Sequence, residues 1–231
     1  MVQGAWAQGA LEVEGGYVIP GYVDVAVPGD TGTRVSLTDD LEAEGTAAFR
    51  VRYGHTFAQK HWVGILAAPL TVESQGTLDQ DVDFNGTAFP EGTPVASTFR
   101  FDSYRLIYRY LFHESDRWSF SFGAALKVRD AAIGLEGGGL ESEKTNTGLV
   151  PLLSFKLAWT PIEKWHLLVD GEALAASQGR AEDVLFAAQY DVNRRLALQT
   201  GYRILEGGAD NDEVYAYSLF HYAVVGATWH F

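Results

Sequence analysis

The residues of this sequence best suited to chemistry are basic side chains that fall on one parity of the predicted strands. In the stretch 104–112, Arg105 and Arg109 fall on one parity, and apolar Leu106 and Tyr108 fall on the other. Alternate side chains of a strand point to the same face, so these charges share one face of a predicted sheet. The predicted cluster on that face comprises Arg50, Arg52, Arg105, Arg109, Lys127, Arg129, Lys156, Asp170, Glu172 and Arg203, together with Glu12, Glu14 and Arg195.

A cluster of this kind supports two kinds of chemistry. Arginine forks offer bidentate contacts to a carboxylate, a phosphate or another anion, which favours a cationic binding site or a narrow channel. The same forks can pair with the acids of the cluster and with Asp39 and Asp40, if that segment folds inward. Buried charge is tolerated when it is paired or hydrated, so a sealed ion-pair network is the other interpretation.

A weaker candidate site lies in the stretch "DVDFNG", where Asp81, Asp83 and Asn85 follow the order that opens a calcium loop. Glu91 falls one place short of the bidentate ligand position, and no helical pattern flanks the stretch. A two-residue hairpin turn at Asn85-Gly86 explains the same letters better. We therefore predict no metal and no cofactor, and keep divalent cations at acidic loops as a secondary hypothesis.

Catalysis is a third hypothesis. His221 and the acids Asp210, Asp212 and Glu213 would be the residues of a surface hydrolase similar to the omptins. No G-x-S-x-G nucleophile motif occurs in the sequence. His221 also falls on the face opposite the charged cluster, so the protein is not expected to be an enzyme.

The elements that position these residues are strands. Short polar turns near 57–61, 113–117, 160–164 and 191–195 alternate with long, acidic connections at 28–45, 73–97, 136–148, 177–183 and 206–213. Nine connections predict ten consecutive strands, with eight and twelve as alternatives. The predicted fold is all-β, a transmembrane up-and-down antiparallel β-barrel, because a strand can span lipid only within a closed sheet.

Aromatic residues mark one end of this predicted barrel. They gather beside the short turns, whereas a soluble sandwich would scatter tryptophans through its core. Amphipathic aromatic rings at one level form the interfacial girdle of a membrane barrel. The predicted girdle consists of Trp62, Tyr110, Phe112, Trp118, Trp159, Trp165, Tyr190, Trp229 and Phe231.

Composition excludes several classes of function. A net charge of −13 argues against a nucleic-acid partner, and the absence of cysteine excludes thiol catalysis and disulfide scaffolds. "AWA" at residues 5–7 has the small-x-small spacing of a signal-peptidase site. Residues 1–9 are therefore interpreted as a signal-peptide remnant or a disordered N-terminus, and residues 10–231 as the barrel.

From about residue 31 to the end, the chain resembles a family of uncharacterised proteobacterial outer-membrane β-barrel proteins. The resemblance rests on "GTRVSLTDDL", "YGHTFAQKHWVGI", "DVDFNGTAFPEGTPV", "FDSYRLIYRYLFHESDRWSFSFGAALKV" and "TPIEKWHLLVDGEA". The family has a longer "DDLGL"-like segment where this chain has "DDLEAE". The resemblance implies the fold and an outer-membrane location, and it implies no activity.

The sequence thus predicts an integral protein of a Gram-negative outer membrane with periplasmic termini. Its expected partners are the surrounding lipid and the barrel-assembly machinery, which the C-terminal strand would engage. Small barrels are usually filled by their own side chains, so we expect a side-chain-filled lumen and a non-catalytic structural or surface role. A channel or binder for a small anionic or amphipathic solute is the alternative.

Overall fold

The computed structural model describes residues 9–176 and 179–231, and strands account for most of them. No helix among these residues is long and apolar enough to cross a membrane. The strands are β1 (Gly9–Ala26), β2 (Val35–Ser36), β3 (Glu42–Ala43), β4 (Thr46–Phe57), β5 (His61–Ala68), β6 (Thr71–Thr77), β7 (Val82–Phe84), β8 (Thr87–Phe89), β9 (Pro94–Glu114), β10 (Trp118–Gly137), β11 (Leu140–Ile162), β12 (Trp165–Ala176), β13 (Gly179–Asp191), β14 (Leu196–Asn211) and β15 (Val214–His230).

Antiparallel pairing closes these strands into a barrel with ten walls. Each long strand pairs with its neighbours in chain order, and β1 pairs with β15 from Ala10↔His230 to Ala26↔Tyr215. The third wall is shared by β5 and β6, which both pair with β9. Pro69 separates them, because proline has no N–H to donate to the ladder. The predicted ten-stranded transmembrane barrel is confirmed.

The two ends of the barrel differ in their connections. One end, which we call the lower end, carries the short turns at 58–60, 115–117, 163–164 and 192–195. At the other, upper end, three of the predicted long loops were wrong in extent, and β13 already begins at Gly179 within the predicted 177–183 loop. β10 and β11 continue to Gly137 and Leu140 across the turn Gly138-Gly139, and β14 and β15 are separated only by residues 212–213. The acidic segments there are upward extensions of the strands, because their backbones keep pairing above the apolar band.

The outer face is an apolar belt edged by aromatic rings. Leu106, Leu126 and Leu153 are each about half exposed near the middle of the wall. At the lower edge, the rings of Trp118 and Trp159 stack at 5.7 Å. Residues of the predicted girdle that face outward are Tyr110, Phe112, Trp118, Trp159, Trp165, Tyr190, Trp229 and Phe231.

Trp62 is the exception, and its placement in the girdle was wrong. It pairs in register with the inward-facing Arg109, whose guanidinium carbon lies 5.4 Å from the indole ring. A Cβ added at Gly54 or Gly64 would lie within 2.4 Å of the same ring. Two inward-facing glycines therefore create the space that the indole fills inside the barrel.

Non-barrel segments fold back into the upper opening. The hairpin β7–β8 lies within the mouth, where Asn85 donates its backbone N–H to Val27 O at 2.6 Å and Ser142 Oγ donates to Phe84 O at 3.2 Å. Both turn residues of this hairpin, Asn85 and Gly86, have positive φ, as the sequence predicts for an Asn-Gly turn. The plug formed by this hairpin and the segment 27–45 buries Leu37, Leu41, Leu78, Val82, Phe84 and Phe89.

Candidate functional site

The centre of the lumen is a network of buried ion pairs organised around Asp183. Its carboxylate accepts hydrogen bonds from Arg50 at 2.9 Å, from Arg105 at 2.6 Å and from Arg203 at 2.6 Å. The side chain of Asp183 is 3% exposed and that of Arg105 is 0% exposed. One acid therefore joins three guanidinium groups that are brought in by β4, β9 and β14.

Glu14 completes the upper side of this network. Arg203 donates to both oxygens of Glu14, each at 2.9 Å, in the bidentate geometry that suits a guanidinium fork. Arg50 Nε lies 3.7 Å from the same carboxylate. Arg50 and Arg203 therefore each contact both Glu14 on β1 and Asp183 on β13.

The middle of the network is built on Glu172 and Asp170, two alternate residues of β12. Glu172 accepts from Arg105 at 2.6 Å and from Arg109 at 2.8 Å. Asp170 accepts from Arg109 at 2.7 Å, and Ser154 Oγ accepts from Arg109 Nε at 2.7 Å. Each guanidinium N–H that makes these contacts therefore has a carboxylate or hydroxyl oxygen as its acceptor inside the lumen.

The lower side of the network consists of Arg52 with Glu12 and Asp170. Arg52 donates to Glu12 at 3.0 Å and to Asp170 at 2.8 Å. Lys156 Nζ lies 3.8 Å from Asp170, and its side chain is 38% exposed. Lys156 therefore stands at the boundary between the network and the open space below it.

The network is balanced in charge, and three further basic residues lie outside this balance. Five acids (Glu12, Glu14, Asp170, Glu172 and Asp183) face five arginines (Arg50, Arg52, Arg105, Arg109 and Arg203). The other predicted basic residues of the lumen lie at its margins. Lys156 faces downward, while Lys127 and Arg129 lie on the side of β10 and β11, without an ion pair among residues 9–176 and 179–231.

Two cavities flank the network. The lower cavity, about 270 Å³, opens toward the short turns and is lined by Arg52, Trp62, Arg109, Lys156 and His230 among others. The upper side cavity, about 320 Å³, lies between the β9–β11 walls and the β13–β15 walls. Its lining includes Lys127 and Arg129 beside Phe99, Phe101 and Leu174.

Asp183 was missed by the sequence analysis. It lies at the end of the predicted 177–183 loop, yet β13 begins at Gly179 and carries it into the lumen. Asp183 falls on the same parity of the strand as Leu185 and Ala187, which are also buried. Extending the alternation of "VLFAAQYDV" back by one residue would therefore have placed Asp183 on the inner face. Asp39 and Asp40 are exposed instead, and Asp40 accepts from the backbone of Ser36 at 2.7 Å. Arg195 is exposed in the lowest turn rather than inside the lumen.

The weak metal candidates are not gathered around one point. Asp81 accepts from the backbone of Glu91 at 2.8 Å, whereas Asn85 donates to Glu143 O at 3.0 Å. Asp83 is exposed on the opposite face of β7 from Val82 and Phe84. Within the described residues there is no group of three or more His, Asp or Glu side chains that could hold a metal ion.

The residues of the hydrolase hypothesis are also separated. His221 faces outward, and its ring bonds to the hydroxyl of Tyr202 on the neighbouring strand. Asp210, Asp212 and Glu213 lie at the tip of the β14–β15 hairpin, well above the level where His221 pairs with Ile204. The geometry therefore brings no carboxylate of this hairpin to the imidazole.

Comparison with known proteins supports the fold and leaves the family open. No protein-family model and no curated protein sequence matches the chain. Among solved structures, the outer membrane protease OmpT of Escherichia coli matches with a TM-score of 0.63 and 8% identity, over 100% of this chain and 99% of that one. At this identity the likeness shows the barrel fold alone.

Two further structures match less well. Ail, the attachment invasion locus protein of Yersinia pestis, has a TM-score of 0.42 and 12% identity over 97% of this chain and 99% of that chain. The Pseudomonas putida toluene transporter TodX has a TM-score of 0.40 and 10% identity, over 98% and 91%. The resemblance to an uncharacterised outer-membrane family stays a prediction.

Proposed function

We propose that the protein is a sealed, non-catalytic barrel of a Gram-negative outer membrane that acts at the cell surface through its acidic upper end. The observation that carries this proposal is the double closure of the lumen. The charge-balanced network fills the middle, and the apolar plug of segment 27–45 and hairpin β7–β8 fills the mouth. A hydrated ion crossing the lumen would have to break both layers.

The distribution of charge supports a role at the upper surface. The net charge is −13, although the lumen itself holds more basic than acidic groups. The negative excess therefore lies outside the lumen, and much of it is concentrated at the upper end. Exposed acids there include Asp39, Asp40, Asp81, Asp83, Glu91, Glu136, Glu141, Glu143, Asp210, Asp212 and Glu213. Such a surface attracts divalent cations or a basic partner.

Conductance in planar lipid bilayers tests the closure. We expect no current from the parent protein. We also expect none from Arg105→Ala, which should instead lose about 3–5 kcal/mol of unfolding free energy, because Glu172 and Asp183 lose a buried partner. A variant that lacks residues 79–92 and also carries Arg105→Ala and Arg109→Ala is the positive control for current. A steady anion-selective conductance in the parent would overturn the proposal.

Orientation is tested on cells that display the protein. The chain has no cysteine, so single cysteines report without background. With periplasmic termini, Gly86→Cys and Gly138→Cys should react with an impermeant thiol reagent on intact cells, and Ser115→Cys should not. Labelling at position 115 in sealed cells would place the acidic end in the periplasm and exclude a role at the cell surface.

A further inference from the structure

The wall of the barrel splits between β11 and β12. These strands pair from Ile162↔Trp165 up to Leu153↔Ala173 and no further. Above that rung, the described residues of β11 pair only with β10, and residues 174–176 of β12 pair only with β13. Pro151 stands two residues above the last rung, where it has no N–H to continue the ladder.

The split lies within the apolar belt. Leu149, which is 68% exposed, faces outward beside it. Only two residues above, Thr147 pairs with Asp130, which forms an outward ion pair with Arg100 at 2.8 Å. The charged pair marks the upper edge of the belt, so the split opens just below it. In the orientation proposed above, with periplasmic termini, this is the level of the outer leaflet. Unpaired backbone groups at this depth are unfavourable unless they face a cavity or are covered.

The upper side cavity lies directly behind the split. Leu149, Pro151 and Leu174 line it, and these residues flank the opening on both strands. Phe99, Phe101 and Ile133 form much of its inner wall. Its volume of about 320 Å³ falls at the small end of ligand pockets, which suits one apolar chain better than a two-chain lipid.

Four basic residues line this largely apolar cavity, and two of them are already paired, Lys144 with Glu213 and Arg180 with Glu206. The other two, Lys127 and Arg129, have spare hydrogen-bonding capacity. Lys127 is 2% exposed, and its Nζ lies 4.4 Å from the ring centroid of Phe101, without an ion pair in the described residues. Arg129 donates one Nη to Asn146, while its buried Nε has no hydrogen-bond partner. A buried cation without an anion is costly, so this position favours a ligand that supplies one.

We propose that the split and its cavity bind a single-chain anionic amphiphile drawn from the outer leaflet. The carboxylate of this amphiphile pairs with Lys127 and Arg129, as the acids of the central network pair with the other arginines. Its hydrocarbon chain lies against Leu149, Pro151 and Leu174 and leaves through the split into the lipid. Apolar walls disfavour a small hydrophilic anion, and the two cations disfavour a neutral lipid.

Photocrosslinking of the protein in nanodiscs of zwitterionic phospholipid tests this inference. The probe is dodecanoate carrying a diazirine near the end of its chain. We expect saturable labelling that maps to β11 and β12 around residues 149–152 and 174–176. Unlabelled dodecanoate should displace the probe, and dodecanol, which has the same chain without the charge, should do so at least about tenfold less well.

Matched lysine variants locate the anionic head. Lys127→Met should weaken probe binding about tenfold or more, since it removes a charge-assisted contact. Lys156→Met, which removes a lumen cation at the lower cavity, should leave binding unchanged. Arg129→Gln serves as a second head-group variant, and circular dichroism of each variant in the discs verifies that the barrel is folded.

Three outcomes would overturn the inference: labelling that does not saturate, equal displacement by dodecanol, or binding that depends on Lys156 rather than on Lys127 and Arg129. Labelling by phospholipid-borne diazirines in preference to the dodecanoate probe would show that membrane lipid merely covers the split. Conductance is not involved in any of these readouts, so the sealed-barrel proposal stands or falls separately.

Discussion

The middle of the lumen and its upper mouth are both filled with side chains, but of opposite chemistry. The middle is filled with charge, five arginines against five acids drawn from β1, β4, β9, β12, β13 and β14. The mouth is filled with apolar side chains such as Phe84 and Phe89, which belong to a hairpin outside the ten walls. The stability of the middle layer depends on the pairing of opposite charges, and that of the mouth depends on the apolar area that is buried.

This difference predicts how the stability of each layer responds to substitution. An ion-pair network in a low-dielectric interior is intolerant of losing one member, because the remaining charges are left without a counter-charge. An apolar plug loses stability in proportion to the volume removed, and its neighbours can partly relax into the gap. Substitutions in the two layers therefore discriminate between the two kinds of energetics.

The largest effect is expected from Asp183→Ala. Three arginines share this carboxylate, so the variant should lose about 3–5 kcal/mol of unfolding free energy, the range for breaking a buried pair. Urea titration of the barrel in lipid vesicles measures this. Glu182→Ala, on the opposite face of the same strand, is the control and should change little. Equal losses at the two positions would contradict the inward placement of Asp183.

In the plug, Phe89→Ala should cost about 3 kcal/mol, because Phe89 is fully buried and leaves a cavity. Unlike the loss at Asp183, this loss should not depend on ionic strength or on any other charge in the lumen. Thr87→Ala, on the same short strand, is the control with little expected effect. If Phe89→Ala leaves the urea midpoint unchanged, the hairpin is not part of the closed interior.

The outer face provides a third layer for comparison. Leu106 is 54% exposed at the middle of the belt, and Leu106→Arg should cost about 2–4 kcal/mol, as cations do at the midplane of such barrels. Ser121→Arg, beside Lys156 on the wall of the lower cavity, should cost less because that space is open to water. Equal costs in the vesicle titration would mean that the two faces are assigned the wrong way round.

The smallest effect is expected from Arg100→Ala at the upper rim. Arg100 pairs with Asp130 at 2.8 Å and with Asp102 at 3.3 Å, but it is a third exposed to solvent. Exposed pairs contribute little and are screened by salt. The shift of the urea midpoint should therefore be smaller than for Asp183→Ala, Phe89→Ala or Leu106→Arg and should vanish at high salt. A large shift that persists at high salt would place the rim pair within the apolar belt.

Much of the fold could be predicted because each strand carries its own signal. In "YRLIYRYLF", both arginines fall on one parity and the other parity is wholly apolar or aromatic, so the face of Arg105 and Arg109 is defined without knowledge of any partner strand. Aromatic residues beside the short turns indicated the lower edge of the belt. The same signal failed at Trp62, since a tryptophan next to a turn is equally compatible with either face when two glycines make room inside.

The sequence alone therefore favoured ten walls over eight or twelve, and it determined their order and the face on which most charges lie, because period-two alternation is a local property of the chain. Only the tertiary structure decided which charges neutralise one another. Asp183 meets Arg50 across 133 positions of sequence, through the closure of the barrel. The split at Leu153 and the isolation of Lys127 were likewise decided by long-range register, since Pro151 signals a missing N–H but does not specify which of its two neighbouring strands stops pairing.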